Sequence, residues 1–386
     1  MKIIPYGRQY IDNKDQKIVS KALKENLITT GKYVKEFENK ISKFLKVKYA
    51  LSCTNGTSAI HLAFMAIDLK KNDIVIMPAI NFIAAYNMAR TCDAKIFLAD
   101  VDPFTGQMTP DTLLKCIKSN KLKKIKVIIT MYLGGYPENV FEFYNIKKKF
   151  KCYLIEDSCY AFGAKYNFKN KKIHIGSCRH SDIATFSLHP VKTITSGEGG
   201  VVTTNNKTLA NKISLFRSHG IKRHKSYHWQ YDIDVSGFNY RLSDINCALA
   251  ISQLNKIKKF IYFRNKLFRF YNLKFNNLNN LILFDKYNKK NSPSYHLYLL
   301  SINSKKIEYI KKNLFKLLKK KKILAQYHYI PIYKFKFYSK NIRLSEYIGS
   351  EYYFKNTLSL PIFYNMKFSI QKKIVSIINT YLKNNL

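Results

Sequence analysis

Apolar and polar positions along the chain fall into two successive regimes. Residues 12–46 carry the three-to-four spacing of amphipathic helices, first in "DNKDQKIVSKALKEN" and then in "KYVKEFENKISKFLK", with "LITTG" as the break between them. After that, short continuous apolar runs alternate with helix-like segments. The predicted strands are "YALSC" (49–53), "DIVIM" (73–77), "KIFLA" (95–99), "KVIITM" (126–131), "CYLIE" (152–156), "IATFS" (183–187) and "GVVTT" (200–204). Helical patterns such as "TSAIHLAFMAIDL" and "FEFYNIKKKF" lie between several of them. Continuous apolar strands alternating with helices predict an α/β fold, with a mostly parallel central sheet covered on both faces. "GGVVTT" follows its predecessor too closely for a crossover helix, which allows an antiparallel neighbour there.

Near residue 255 the texture changes. "LSDINCALAISQLNKIKKFIYFRNKLFRFYNLKF" reads as one long helical stretch able to bridge two domains. Beyond it, predicted strands ("HLYLLSI", 296–302; "AQYHYIP", 325–331) alternate with helices ("KKIEYIKKNLFKLLKK"; "SIQKKIVSIINTYL"). The expected division is a large domain, 1–255, and a smaller C-terminal α+β domain, 256–386.

Charge alters this picture less than its size suggests. The chain has 67 basic and 24 acidic residues, a formal charge of +43. The basic residues are scattered from end to end among Asn, Ile and Tyr, which reads as compositional drift rather than a stripe built for nucleic acid. A general attraction for anionic ligands follows all the same. The 7 cysteines are odd in number and include no CxxC pair or zinc-spaced cluster, so free thiols in a cytoplasmic protein and no metal are expected. No window approaches the roughly 18 apolar residues of a membrane span, and the opening "MKIIPYGRQYIDNKDQ" lacks a signal-peptide core.

Candidate chemistry gathers where the strands end, the place where open α/β sheets collect ligands. After "YALSC", Gly56, Thr57 and Ser58 open a helix whose free amides suit a phosphate. Asp157 follows "CYLIE", and Phe82 lies past "DIVIM". Ser187 and Lys192 follow "IATFS", the lysine lying between Val191 and Ile194 before a glycine-rich turn. Singly, each has a plainer reading: a helix cap, a surface acid, a core phenylalanine, a solvated amine. Jointly, a phosphate cradle, a carboxylate, a flat aromatic and a recessed lysine describe a pyridoxal 5′-phosphate site.

With these residues in view, the chain resembles the DegT/DnrJ/EryC1/StrS sugar aminotransferases nearly end to end. The resemblance is carried by "ITTGKYVKEFE", "NGTSAIHLA", "PAINFIAA", "IEDSCYAFGA", "GSCRHSDIATFSLHPVKTITSGEGGVV", "RSHGI", "GFNYRLSDI", "HLYLL", "HYIPIY" and "LSLPIF". It implies the aspartate-aminotransferase fold (pyridoxal-phosphate fold type I), with the cofactor in the large domain. It implies Lys192 as the residue that joins the cofactor and later moves the proton, and Asp157 as the partner of the pyridine nitrogen. Gly56, Thr57 and Ser187 would hold the phosphate, and Phe82 would stack on the ring. Asn239 would reach the phosphate from the neighbouring subunit, implying a homodimer with shared sites. Where the family commonly has histidine or glutamine, this chain has Tyr160, which can still donate to the cofactor's ring oxygen.

Within the family, "GSCRHSD", "SLHPVK", "RSHGI", Trp229–Tyr231 and "HYIP" are most similar to enzymes that aminate a UDP-linked 4-keto-6-deoxy-N-acetylhexosamine. The implied product is UDP-4-amino-4,6-dideoxy-N-acetyl-β-L-altrosamine, on the route to pseudaminic acid, with L-glutamate as donor. His189, His328 and Arg241 stay outside the expected catalytic set. Rival readings are another nucleotide-sugar aminotransferase, acting on a different sugar or at C3, and a pyridoxal-phosphate or nucleic-acid binder without turnover. A family dehydratase fits less well, because those enzymes replace the lysine that is present here as Lys192.

Overall fold

The structure is a computed structural model that describes residues 3–224, 226–227, 229–278, 280–283, 290–338 and 342–385. Its centre is a seven-stranded sheet. Five of these strands are β1 (Tyr49–Cys53), β2 (Ile74–Pro78), β3 (Lys95–Ala99), β4 (Val127–Met131) and β5 (Tyr153–Asp157). A separate hairpin follows, β6 (Lys165–Phe168) and β7 (Lys171–His174), which the apolar pattern does not predict. The sheet then resumes with β8 (Ile183–Ser187) and β9 (Gly200–Thr204). The strand order is β1-β9-β8-β5-β4-β2-β3. β3, β2, β4, β5 and β8 run parallel. β9 pairs antiparallel with both β8 and β1, so β1 regains the common direction.

Both faces of this sheet are covered. Val127, Ile129 and Ile155 face one apolar cluster, while Ile128 and Leu154 face another. That two-sided burial explains why the strands read as unbroken apolar runs instead of alternating ones. The covering helices are α1 (Asn13–Ala22), α2 (Lys32–Leu45), α3 (Gly56–Ala66), α4 (Ala84–Thr91), α5 (Pro110–Ser119), α6 (Val140–Phe150), α7 (Lys207–Phe216) and α8 (Asp244–Asn255). In α2, Tyr33, Phe37, Ile41 and Leu45 recur every fourth residue and are all buried. Its first turn is capped from far away: buried Asp244 accepts from the backbone N–H of Gly31 at 2.7 Å, Tyr33 at 2.8 Å and Val34 at 3.3 Å. A Cβ at Gly31 would sit 2.8 Å from Leu27 O and 2.9 Å from Asp244 Oδ1, so the close approach needs glycine.

Between α7 and α8 lies a short ribbon, β10 (Ile221–Arg223) with β11 (Tyr231–Ile233). The stretch expected to be one long helix is two, α8 and α9 (Ile257–Phe275), separated at Lys256. The Lys256 ammonium turns back to Asp12 at 3.0 Å and Asp15 at 2.6 Å, tying this joint to α1. The remaining elements are β12 (Leu281–Leu283), β13 (Tyr298–Ile302), α10 (Ile307–Lys320), α11 (Ile348–Asn356), β14 (Thr357–Leu360) and α12 (Phe368–Lys383). β12, β13 and β14 form an antiparallel three-stranded sheet. The predicted strand at 325–331 does not form, and only Gln326 makes an isolated bridge, to Ser359. Ile4 bridges Ile323, and Tyr6 O accepts from Ile362 N at 3.0 Å, so the start of the chain packs with its C-terminal part. No helix among the described residues is long and apolar enough to cross a membrane.

Candidate active site

The parallel strands deliver their last residues to one edge of the sheet, and that edge opens into a cavity of about 520 Å³. Gly56, Thr57, Phe82, Asp157, Tyr160, Ser187 and Lys192 all line it. Of the expected residues, only Asn239 lies outside its own chain's cavity. It is exposed, on the segment after the ribbon, where it bridges Ser218.

The N-terminus of α3 forms one wall. Asn55 caps it, accepting from Ser58 N at 2.8 Å, while Ser58 Oγ accepts from Asn55 N at 3.0 Å. The first-turn amides of Gly56 and Thr57 have no carbonyl one turn earlier to accept from them. Gly56 lies so close to the end of β8 that a Cβ there would come within 2.9 Å of Ser187 Cβ. The helix terminus and the Ser187 hydroxyl therefore face a common small space, which matches the donor set of a phosphate.

Lys192 is held by a loop that folds back on itself. Its own N–H donates to His189 O at 2.8 Å. Thr195 Oγ1 and Ser196 N both donate to Leu188 O, at 2.9 and 3.0 Å, and Leu188 N donates to Gly199 O at 2.7 Å. A Cβ at Gly200 would be 2.2 Å from Asn55 O, so the glycine lets this loop pass directly over the α3 cap. The result places Lys192 Nζ 3.8 Å from the centroid of the Tyr160 ring. Burial lowers the lysine's pKa, against the opposing pull of Cys159 and Asp157. Burial likewise raises that of Asp157, whose Oδ1 accepts from Cys159 N at 3.2 Å and which Lys192 draws back down. Each group's charged form is thus disfavoured by its enclosure and favoured by the other.

Behind Tyr160 lies an aromatic layer. His296 stacks on it with ring centroids 4.7 Å apart, and Tyr329 lies 6.3 Å away. Burial keeps the His296 imidazole well below its usual pKa and that of His328 at about 3, so both are neutral at physiological pH. His328 Nδ1 is 2.8 Å from Ser359 Oγ. Phe82 lies at the mouth, 52% exposed, with its ring 5.8 Å from that of Tyr329.

The cavity also holds residues that the sequence reading missed. Tyr6, Asn81, Cys159, Glu198 and Tyr329 line it, as does His189, which stands outside the expected catalytic set. Cys159 was within reach of inference, two residues after Asp157 in "EDSCY". Tyr6 and Tyr329 were not, because only tertiary packing brings the two ends of the chain to this edge. Among the described residues, no group of three or more His, Cys, Asp or Glu is placed to hold a metal.

The residues present fit pyridoxal phosphate. They supply a phosphate cradle, a buried carboxylate, a lysine with a lowered pKa and an exposed flat ring, around a space large enough for the cofactor and part of a substrate. Comparison with known proteins agrees. The DegT/DnrJ/EryC1/StrS aminotransferase family matches residues 9–379. A UDP-4-amino-4,6-dideoxy-N-acetyl-β-L-altrosamine transaminase of Campylobacter jejuni is 36% identical over 93% of this chain and 92% of its own. A GDP-perosamine synthase of Escherichia coli O157:H7 is 32% identical over 87% and 89%. Among solved structures, Helicobacter pylori PseC, an aminotransferase of pseudoaminic acid biosynthesis, superposes with a TM-score of 0.89 at 27% identity, covering 99% of this chain and 100% of PseC. The chain belongs to the DegT/DnrJ/EryC1/StrS aminotransferase family and is a pyridoxal-phosphate-dependent sugar aminotransferase.

Proposed function

We propose that the chain transfers an amino group from L-glutamate to C4 of a UDP-4-keto-6-deoxy-N-acetylhexosamine, giving UDP-4-amino-4,6-dideoxy-N-acetyl-β-L-altrosamine for pseudaminic acid synthesis. The observation that carries this reading is the 36% identity to the C. jejuni transaminase over 93% of the chain, together with an intact cavity. The GDP-perosamine synthase relative makes a GDP-linked ketone the alternative to test.

When bound, pyridoxal phosphate supplies the electron sink that lets an amino group pass between two carbon skeletons. In this reading the chain's residues hold it and manage protons. Gly56 and Thr57 amides and the Ser187 hydroxyl bind the phosphate, and Asp157 keeps a proton on the pyridine nitrogen. Phe82 covers one ring face. Lys192 anchors the cofactor and, as an amine that burial helps to deprotonate, takes a proton at Nζ and returns it. Tyr160 sits directly under that ammonium and has a hydroxyl able to donate to the ring oxygen. Asn239, exposed on its own chain, would complete the phosphate site of a second copy in a homodimer.

The test incubates the purified protein with glutamate and UDP- and GDP-linked 4-keto sugars, reads the products by mass and assigns their configuration by NMR. Amination at C4 of the L-arabino UDP ketone, with its D-xylo epimer reacting poorly, is the expected result. Equal turnover of the two epimers would remove the altrosamine assignment, and preference for the GDP ketone would replace it.

A further inference from the structure

Asn81 presents an anomaly that the proposed mechanism leaves unused. It lies three residues past the end of β2 and is 1% exposed. Neither its Nδ2 nor its Oδ1 has a hydrogen-bond partner among the described residues. Its chain segment is pinned: Ala79 N donates to Ala99 O at 2.8 Å, and Ala79 O accepts from Ile332 N at 2.9 Å. Buried amides in folded proteins are paired, because an unpaired one forfeits its hydration without compensation. Yet Asn81 lines the same cavity as Asp157, Tyr160 and Lys192 and directly precedes Phe82.

We propose that Asn81 is a ligand-recognition residue, whose amide is completed by a group of the cavity's occupant that both accepts and donates a hydrogen bond. A primary amide offers one donor face and one acceptor face, so its complement is a hydroxyl or another amide. Two sources carry that chemistry: the ring hydroxyl of the cofactor, and a hydroxyl or acetamido group of the sugar. The inference rests on the reading of this cavity as the cofactor and sugar site. It adds a residue whose hydrogen bonds exist only in the loaded protein.

The test uses the full chain with Asn81→Leu, which keeps the shape and removes both polar atoms. Freed of cofactor, this variant is expected to melt at or above the wild-type temperature, because the orphaned atoms are gone. With ligand present, it is expected to gain less in melting temperature than wild type. If the cofactor supplies the partner, the Kd for pyridoxal phosphate rises about tenfold and the KM for nucleotide sugar holds. If the sugar supplies it, the cofactor Kd holds and the sugar's KM rises by a similar factor. Unchanged affinity for both would overturn the proposal, as would a lower melting temperature without ligand, which would mean that the amide has a structural partner or a buried water. Should the leucine variant fail to fold, Asn81→Ala is read in the same way for ligand affinity. Cofactor uptake by the wild-type chain, seen as its yellow absorbance, separates the two levels. Uptake with no effect at Asn81 sinks this inference alone, whereas no uptake sinks the underlying reading with it.

Discussion

Two neighbouring carboxylates at the end of β5 have been given different tasks by their surroundings. Asp157 faces the cavity and Lys192. Glu156 points the other way, its Oε1 accepting from Tyr132 Oη at 2.9 Å and its Oε2 from Gly176 N at 3.3 Å. Burial raises Glu156 to about 7 from 4.5. The folded state then binds a proton that the unfolded state has released, so stability declines as pH rises through this window. Glu156→Gln can meet both partners, with its carbonyl accepting from Gly176 and its amide donating to the tyrosine oxygen. The variant should therefore gain on wild type by about 3 kcal/mol between pH 4.5 and 7, as measured by urea unfolding across that range. A constant difference would mean that Glu156 does not titrate there. At the lysine proposed to be catalytic, Lys192→Ala should retain pyridoxal phosphate noncovalently through the proposed phosphate contacts. Its transfer rate should fall by about 10²–10⁴, the usual worth of a positioned acid–base group, in single-turnover assays. An unchanged transfer rate in the cofactor-loaded variant would show that Lys192 does not move the proton.

At the scale of elements, the account depends on contacts that join distant parts of the chain. Asp244, at the start of α8, caps α2 through three backbone N–H groups. Asp244→Ala leaves those buried donors without their acceptor and should cost about 3 kcal/mol, seen as a lower urea midpoint with an unchanged slope. A loss below about 0.5 kcal/mol would show that water substitutes for the cap. The same long reach explains what the sequence discloses. The central strands were legible to within a residue because burial on both faces writes them as apolar runs. β12 is only three residues long, and the β6–β7 hairpin carries no such run. "AQYHYIP", where Gln326 and His328 interrupt the apolar residues, forms no strand and makes only the Gln326–Ser359 bridge. The break at Lys256 depends on Asp12 and Asp15, some 240 positions away. The strand-end residues of the site could be read because sheet topology dictates where they meet. Asn81 could not, since the role proposed for it rests on the lack of a partner among the described residues.

For the whole molecule, charge and assembly are the outstanding features. The chain carries a formal charge of +43, which would favour the approach of the diphosphate-linked substrate proposed for it. Electrostatic steering of that kind is screened at ordinary ionic strength, so kcat/KM for the nucleotide sugar should fall several-fold between about 20 and 300 mM salt. A flat salt profile would show the charge to be incidental. Exposed Trp229, Tyr231, Ile233 and Phe238 cluster along the ribbon segment that leads to Asn239, an apolar surface of the sort that a second copy covers. In the proposed homodimer, mixing Lys192→Ala with Asn239→Ala chains rebuilds one intact site in each mixed dimer. Random exchange should then restore roughly a quarter of wild-type activity. No recovery, with exchange verified by mass, would place Asn239 outside the shared site.

The account as a whole turns on one amine among many: the lysine that the β8–β9 loop holds over Tyr160. Borohydride reduction of the cofactor-loaded protein, followed by peptide mapping, tests it most directly. The pyridoxyl label is predicted on Lys192, in the peptide containing "HPVKTIT". A label on any other lysine, with Lys192 unmodified, would contradict the assignment.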